Sequence, residues 1–198
     1  MATKIYLLAF LTIWFLTVFV IPSIRVKRKT GINPYVFKNS DSAHDYLGKV
    51  SPPITFLVFA VAVINLVVPP ALQYLAPFQW LQTSWLQIAG FVIIHLALLW
   101  IVSAQLQMSN SWRVGIDHSA KTELKTNGIF SVSRNPVFLG MIVTLFGVLC
   151  ILPNAITLLT VVVSTLLFQV QVRLEEEYLL KTHGDTYLQY CKKTKRWI

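Results

Sequence analysis

Acidic side chains are scarce in this chain: eight Asp and Glu against 17 Lys and Arg in 198 residues. Charged residues of both signs make up only 13% of it, while 55% is hydrophobic and the mean hydropathy is +0.62. That balance excludes an ordinary soluble domain and points to a single integral membrane domain. The net charge of +9 is not gathered into a basic domain. It lies in short segments between apolar stretches, the pattern of loops facing anionic lipid headgroups rather than of a nucleic-acid interface.

Cysteine is nearly absent. Cys150 lies in an apolar run and Cys191 among lysines, so no disulfide framework exists. The four histidines, His44, His95, His118 and His183, are scattered without metal-ligand spacing, and no metal is expected. Internal repeats and low-complexity tracts are missing too, which speaks against a transporter built from duplicated halves. No charged residue sits deep in a span to form an ion path. His95 alone is ionisable there and reads as an interhelical hydrogen bonder.

What is present is a series of apolar runs. They fall at about 5–22, 53–72, 85–107, 136–152 and 154–172, near the ~20 residues a helix needs to cross a bilayer. The first lacks a small-residue cleavage site and is followed by RVKRK, as in an uncleaved anchor. Pro69-Pro70 ends or kinks the second. Only the Pro153-Asn154 turn separates the last two, which predicts a tight helical hairpin. The expected fold is therefore an all-α integral membrane protein of five transmembrane helices. Residues 1–107 supply three spans and a basic loop, and residues 108–198 supply the functional core with the final hairpin and a C-terminal helical segment.

The basic residues orient the spans. Arg25, Lys27, Arg28, Lys29, Lys38 and Lys49 occupy one loop; Arg113, Lys121, Lys125 and Arg134 occupy another; Arg173, Lys181, Lys192, Lys193, Lys195 and Arg196 lie in the tail. The connections at about 73–84 and 151–154 carry no charge. With five spans, every basic residue except Lys4 falls on one side, which the positive-inside rule makes cytoplasmic: N-terminus outside, C-terminus inside. Tyr74, Trp80 and Trp85 sit at the uncharged face as an aromatic belt would.

Polar chemistry concentrates in two stretches, GIFSVSRNPVFLG at 128–140 and RLEEEYLLKTHGDTYLQY at 173–190. Asn127-Gly128 suits a turn with positive φ. Pro136 fits the first helical position, placing Asn135 at the N-cap, where its side chain can satisfy a free amide. Arg134 beside that helix start is either an anion site for a carboxylate or phosphate, or a snorkelling arginine beside a capped membrane helix. Glu175, Glu176 and Glu177 continue the last span into the cytoplasm. They read either as a solvated face with pairs such as Glu177–Lys181, or as carboxylates for the hydroxyl or amino groups of a ligand. Gly184 marks a helix stop, and Tyr187 and Tyr190 share one side of a short final helix, for core packing or for ligand stacking.

Taken in order, these pieces resemble the isoprenylcysteine carboxyl methyltransferase family and the related phospholipid methyltransferases. The matching elements are Ser111-Trp112, Leu124, Gly128-Ile129-Phe130, Arg134-Asn135-Pro136-Val137-Phe138, Glu175-Glu176, Leu179, His183-Gly184, Tyr187, Tyr190 and Arg196, spread over about 111–197. The resemblance implies an S-adenosylmethionine-dependent methyltransferase without a Rossmann domain, its cofactor held at the cytoplasmic ends of the last spans. Carried over, the cofactor-binding set is Leu124, Gly128, Ile129, Arg134, Asn135, Pro136, Val137, Phe138, Leu139, Glu175, Glu176, Tyr187 and Tyr190. Arg134, Glu176 and Arg173 are the catalytic candidates, and Trp112, Arg173 and Arg196 the candidates for the acceptor. The acceptor is lipophilic: a prenylated cysteine carboxylate, a phospholipid amine or a small thiol. Two positions depart from the family. Asn135 replaces its histidine, keeping a hydrogen-bonding group that cannot be protonated. Phe138 replaces its tyrosine, keeping a wall without a hydroxyl. Readings of other classes are an NADPH-dependent membrane reductase and a non-catalytic membrane scaffold.

Overall fold

The computed structural model describes residues 1–38, 40–116 and 123–198; His118 and Lys121 lie outside the described residues. Among the described residues the regular elements are all helices, with isolated bridges at Tyr35–Val114 and Pro77–Asn154. Helices α1 (Ala2–Phe15) and α2 (Ile21–Thr30) join through a π turn at Leu16–Val20 into one rod. Then come α3 (Ala43–Val67), α4 (Ser84–Met108), α5 (Pro136–Ile151), α6 (Ala155–His183) and α7 (Asp185–Lys193). The four helices Ala2–Thr30, Ala43–Val67, Ser84–Met108 and Ala155–His183 are long and apolar enough to cross a membrane. Helix α5 has 16 residues. At ~1.5 Å per residue it is about 24 Å long, short of a ~30 Å hydrocarbon core.

Several boundaries differ from those that hydropathy predicts. The first helix runs through the basic stretch to Gly31, whose φ of 71° closes it. Helix α3 starts ten residues before the apolar run at 53, because Ser42 caps it by accepting the Asp45 amide at 3.2 Å. Pro52 and Pro53 then lie inside that helix. Pro69 opens a 3₁₀ segment, Pro69–Leu75, in agreement with a stop there. Helix α6 carries the three glutamates outward as one piece to Gly184, φ 53°.

The core is a seam of large apolar side chains. Leu7, Phe10, Leu11, Trp14 and Val18 pack with Val58 and Ala62, Ile94 and Ile101, Met141, Leu145 and Val148, and Phe168. Without a hydrophobic drive between helices in lipid, close backbone approach sets the packing. Gly90 and Gly147 show it: a Cβ on Gly90 would lie 2.7 Å from the Gly147 carbonyl oxygen, so α4 and α5 meet backbone to backbone. His95 Nδ1 donates to the Phe91 carbonyl at 2.6 Å, leaving Nε2 to accept the Tyr6 hydroxyl at 2.7 Å. It is the interhelical hydrogen bonder that its lone position predicts.

Three residues, Leu152–Asn154, separate α5 from α6. Asn154 caps α6 by accepting the Ile156 and Thr157 amides at 3.0 and 3.1 Å, with Thr157 reciprocating in a capping box. Both helices pack along each other. This connection returns the chain toward the end at which α5 began, bringing the glutamates back to the Arg134 turn.

Candidate functional site

Pro136 starts α5 because its missing N–H costs nothing in a first turn. Asn135 is the N-cap residue, as predicted, but its side chain makes no cap bond. This corrects the sequence expectation. The amide instead donates from Nδ2 to Glu176 Oε1 at 3.1 Å and to the Arg196 carbonyl at 3.3 Å. Donation to a buried carboxylate, about twice as strong as a neutral hydrogen bond, sets the orientation of this side chain, and among the described residues its Oδ1 accepts from none of the first amides of α5. The first amides of α5 therefore keep no side-chain acceptor, and the positive end of the helix dipole stays available.

Glu176 is the hub. Its Oε1 also accepts from Arg134 Nε at 3.1 Å and Nη2 at 3.0 Å, and its Oε2 accepts from Arg196 Nε at 3.0 Å and Nη2 at 2.7 Å. The Glu176 and Arg134 side chains are each 11% exposed. Two guanidiniums and one amide surround one carboxylate, so the charge is satisfied on both oxygens. Arg134 reaches further, donating from Nη1 to the Thr194 and Cys191 carbonyls at 2.7 and 3.3 Å. Its own amide donates to the Lys195 carbonyl at 3.1 Å. Ser133, fully buried, accepts the Asn135 amide at 3.2 Å and donates to the Arg196 carbonyl at 3.3 Å. The C-terminal tail is thus stitched across the threshold of α5.

Tyr187 and Tyr190 are buried, with ring centroids 6.1 Å apart. Tyr190 Oη donates to the Phe130 carbonyl at 2.5 Å, tying α7 to the 3₁₀ turn Gly128–Ser131. Burial pushes the Tyr190 phenol up to about 12, and burial together with nearby Glu176 pushes Tyr187 up as well. In that turn Gly128 has φ 58°, as the Asn-Gly pair predicts, and a Cβ there would also strike Gln107. Gln107 Oε1 accepts the Ile129 amide at 3.0 Å. Leu124 and Ile129 are half-buried.

Other predicted residues lie elsewhere. Val137 and Phe138 pack against the apolar core, the Phe138 and Phe168 rings 5.4 Å apart. Leu139 continues the helix, its amide donating to the Asn135 carbonyl at 3.0 Å. Arg173 does not join the hub; it is exposed and its Nη1 donates to the Gln169 carbonyl and Oε1 at 2.7 and 2.8 Å. Glu177 pairs with Lys181 at 2.6 Å on the surface, as the helix spacing predicts. Glu175 faces a small cavity of about 50 Å³, lined with it by Ser111, Arg113, Gly115 and Tyr178. Trp112 is buried in the same segment.

That segment has supports that sequence reasoning missed. Val114 exchanges hydrogen bonds with the 34–36 segment, Val36 N to Val114 O at 3.1 Å and Val114 N to Pro34 O at 2.9 Å. His44 accepts the Ile116 amide on Nε2 at 2.8 Å and donates from Nδ1 to Asp45 at 3.1 Å. The adjacent His-Asp pair was the available signal. Ser133 and the carbonyls of residues 191–196 gave none, since backbone acceptors carry no residue signature. Among the described residues no group of three or more His, Cys, Asp or Glu side chains is placed to hold a metal ion.

Residues 85–186 match the phospholipid methyltransferase family. A protein-S-isoprenylcysteine O-methyltransferase of Schizosaccharomyces pombe is 32% identical over 118 residues, 59% of this chain and 49% of that protein. The chain thus aligns with about half the length of that relative. The solved structure of the eukaryotic intramembrane Ras methyltransferase, isoprenylcysteine carboxyl methyltransferase, has a TM-score of 0.60 at 19% identity. That match covers 93% of this chain and 70% of the other, and shows a shared fold. With 102 of its residues, 85–186, inside the family match, the chain belongs to the phospholipid methyltransferase family.

Proposed function

We propose that this chain is an S-adenosylmethionine-dependent methyltransferase acting on a lipophilic acceptor at the membrane–cytoplasm boundary, most like isoprenylcysteine carboxyl O-methylation. One observation carries the reading. The Arg134–Glu176–Arg196 hub fixes an uncapped helix start beside a free carboxylate, Glu175. The residues fit the cofactor in charge and donor type. The α5 amides and the Arg134 side suit the carboxylate of its amino-acid arm. Glu175 suits its hydroxyl or ammonium groups, and Leu124 and Ile129 offer apolar surface. The fit is not one of volume: the cavity at Glu175 holds only a few waters, so the segment 111–116 must yield to admit a nucleoside.

Bound there, S-adenosylmethionine supplies an electrophilic methyl group on a sulfonium. In-line displacement needs alignment and a dry site more than an acid or base, and alignment can contribute on the order of 7–11 kcal/mol. A carboxylate or thiolate acceptor arrives already anionic, so Asn135 in place of a titratable residue is no obstacle. Glu176 and Arg196 act by position, holding the tail against α5. Exposed Arg173 remains available to an anionic acceptor. In this reading α5 is a fifth, short span, the termini lie N-out and C-in, and the acceptor's tail enters laterally between helices.

Purified protein in detergent should be stabilised by S-adenosylhomocysteine in a thermal-shift or calorimetric titration, and not by NADPH. The reverse preference would assign a reductase. Stabilisation by neither would leave the scaffold reading.

A further inference from the structure

At the other end of α5 lies a cavity of about 410 Å³. One helix length, about 24 Å at ~1.5 Å per residue, separates it from the Arg134 hub. Its wall joins the starts of α1 and α4, the end of α3 and the α5–α6 turn. The connection before α4 closes over that turn, Phe78 N donating to Pro153 O at 3.0 Å and Ala155 N to Ala76 O at 3.2 Å.

The lining is rich in donors and has no acid. Lys4 is its cation, and Asn65, Gln82, Thr83 and Gln87 add amides and a hydroxyl. None of the segments that build the cavity contains an Asp or Glu, since 1–40, 46–116 and 124–174 have none. Lys4 is half-buried there and forms no ion pair among the described residues. Asn65 is only 7% exposed, lines the cavity, and makes no side-chain hydrogen bond among the described residues. Thr83, the N-cap of the 25-residue α4, makes no cap bond, and its buried hydroxyl has no partner among the described residues. A buried polar group without a partner is costly, and here the Thr83 hydroxyl, the Asn65 amide, an uncapped helix start and a cation converge on one space. Asn154 also borders it, but its side chain is consumed in capping α6.

We propose that this cavity binds a phosphate oxyanion, carried by the headgroup of an anionic lipid or free in solution. The site is independent of methyl transfer and does not rest on the proposed activity.

The test uses the full chain and two probes. Native mass spectrometry from nanodiscs measures retention of phosphatidylglycerol against phosphatidylcholine; thermal shift in lipid-free detergent measures inorganic phosphate. Phosphatidylglycerol is expected to be retained preferentially. Lys4→Gln should weaken its retention about tenfold, the loss expected for one charge-assisted hydrogen bond. Thr83→Val, which deletes a hydroxyl without an intramolecular partner, should weaken it several-fold while leaving unfolding unchanged. Lys27→Gln, at the basic end, should have no effect. A Lys4-dependent shift with inorganic phosphate but no lipid preference would assign the free anion. Lys4→Gln and Thr83→Val binding both probes as the native chain does would overturn the site. Binding of S-adenosylhomocysteine should not change in any of these variants.

Discussion

Arg134 and Glu176 stand 42 residues apart and meet through two N–H groups on one carboxylate oxygen, at 3.1 and 3.0 Å. Arg196 completes the opposite oxygen. Glu176→Gln would leave two guanidiniums around a neutral amide in a largely buried setting. Breaking such a pair typically costs ~3–5 kcal/mol. The expected outcome is a marked drop in thermal stability, with the tail after Thr194 becoming sensitive to limited proteolysis. Glu177→Gln removes only a surface pair with Lys181 and should leave unfolding unchanged. S-adenosylhomocysteine binding should fall for Glu176→Gln and persist for Glu177→Gln; equal effects would place the functional carboxylate elsewhere.

Asn135 tests what this position requires. Its Nδ2 touches both Glu176 and the Arg196 carbonyl, so the position needs a donor. Asn135→Asp puts a second carboxylate against Glu176. One of the two must then protonate or the hub must open. Asn135→His, the residue type that the resemblance implies here, keeps a donor in neutral form. Calorimetry should show ligand affinity reduced at least ~10-fold for the aspartate, one ~1.4 kcal/mol step, and largely kept for the histidine. A tolerated aspartate would mean that the Asn135–Glu176 bond does not hold the site.

Tyr190 gives a pH signature. Its phenol rises from 10.0 to about 12 through burial. A raised folded value means that the unfolded chain ionises first, so the stability tied to the neutral phenol is complete below about pH 10 and is lost as pH climbs toward 12. Tyr190→Phe abolishes that component and also leaves the Phe130 carbonyl without its donor. The variant should be less stable at neutral pH by ~1–2 kcal/mol and show a flatter decline above pH 10. Parallel declines for variant and native chain would show that the phenol does not titrate in this way.

Local features were legible in the sequence where a residue type dictates backbone geometry. Asn127-Gly128 foretold positive φ, Gly184 a helix stop, Pro136 a helix start and the Glu177–Lys181 spacing a surface pair. Helix α4 was readable to within one residue because its hydrogen-bonded and apolar lengths coincide. The rod Ala2–Thr30 and α3 were not, because hydropathy marks the length that faces lipid, while capping at Ser42 and Gly31 sets the length that is helical. At the site, proximity of the Arg134 turn to the glutamates followed from the short α5–α6 connection. The partners did not. Which glutamate faces inward, and that Arg196 rather than Arg173 completes it, depends on the rotation of α6 and on a tail that folds back. Asn135 shows the same limit: its type names a cap, but a carboxylate 41 residues away orients the side chain through Nδ2, and Oδ1 makes no cap bond.

Pro22 and Gln105 supply a last test, inside the apolar seam. Proline at 22 has no N–H, so the Val18 carbonyl four residues earlier loses its ordinary helical donor. The helix answers with the π turn Leu16–Val20, and Gln105 Nε2, buried on α4, donates to Val18 O at 2.7 Å. Water cannot replace that donor in hydrocarbon. Gln105→Leu fills similar space but removes that donor from the carbonyl, and should cost ~1–3 kcal/mol. Restoring the backbone donor with Pro22→Ala in the same chain should recover part of the loss, giving a coupling energy of ~0.5–3 kcal/mol in a double-mutant cycle of thermal unfolding. Additive effects would show that the proline and the glutamine do not serve the same carbonyl.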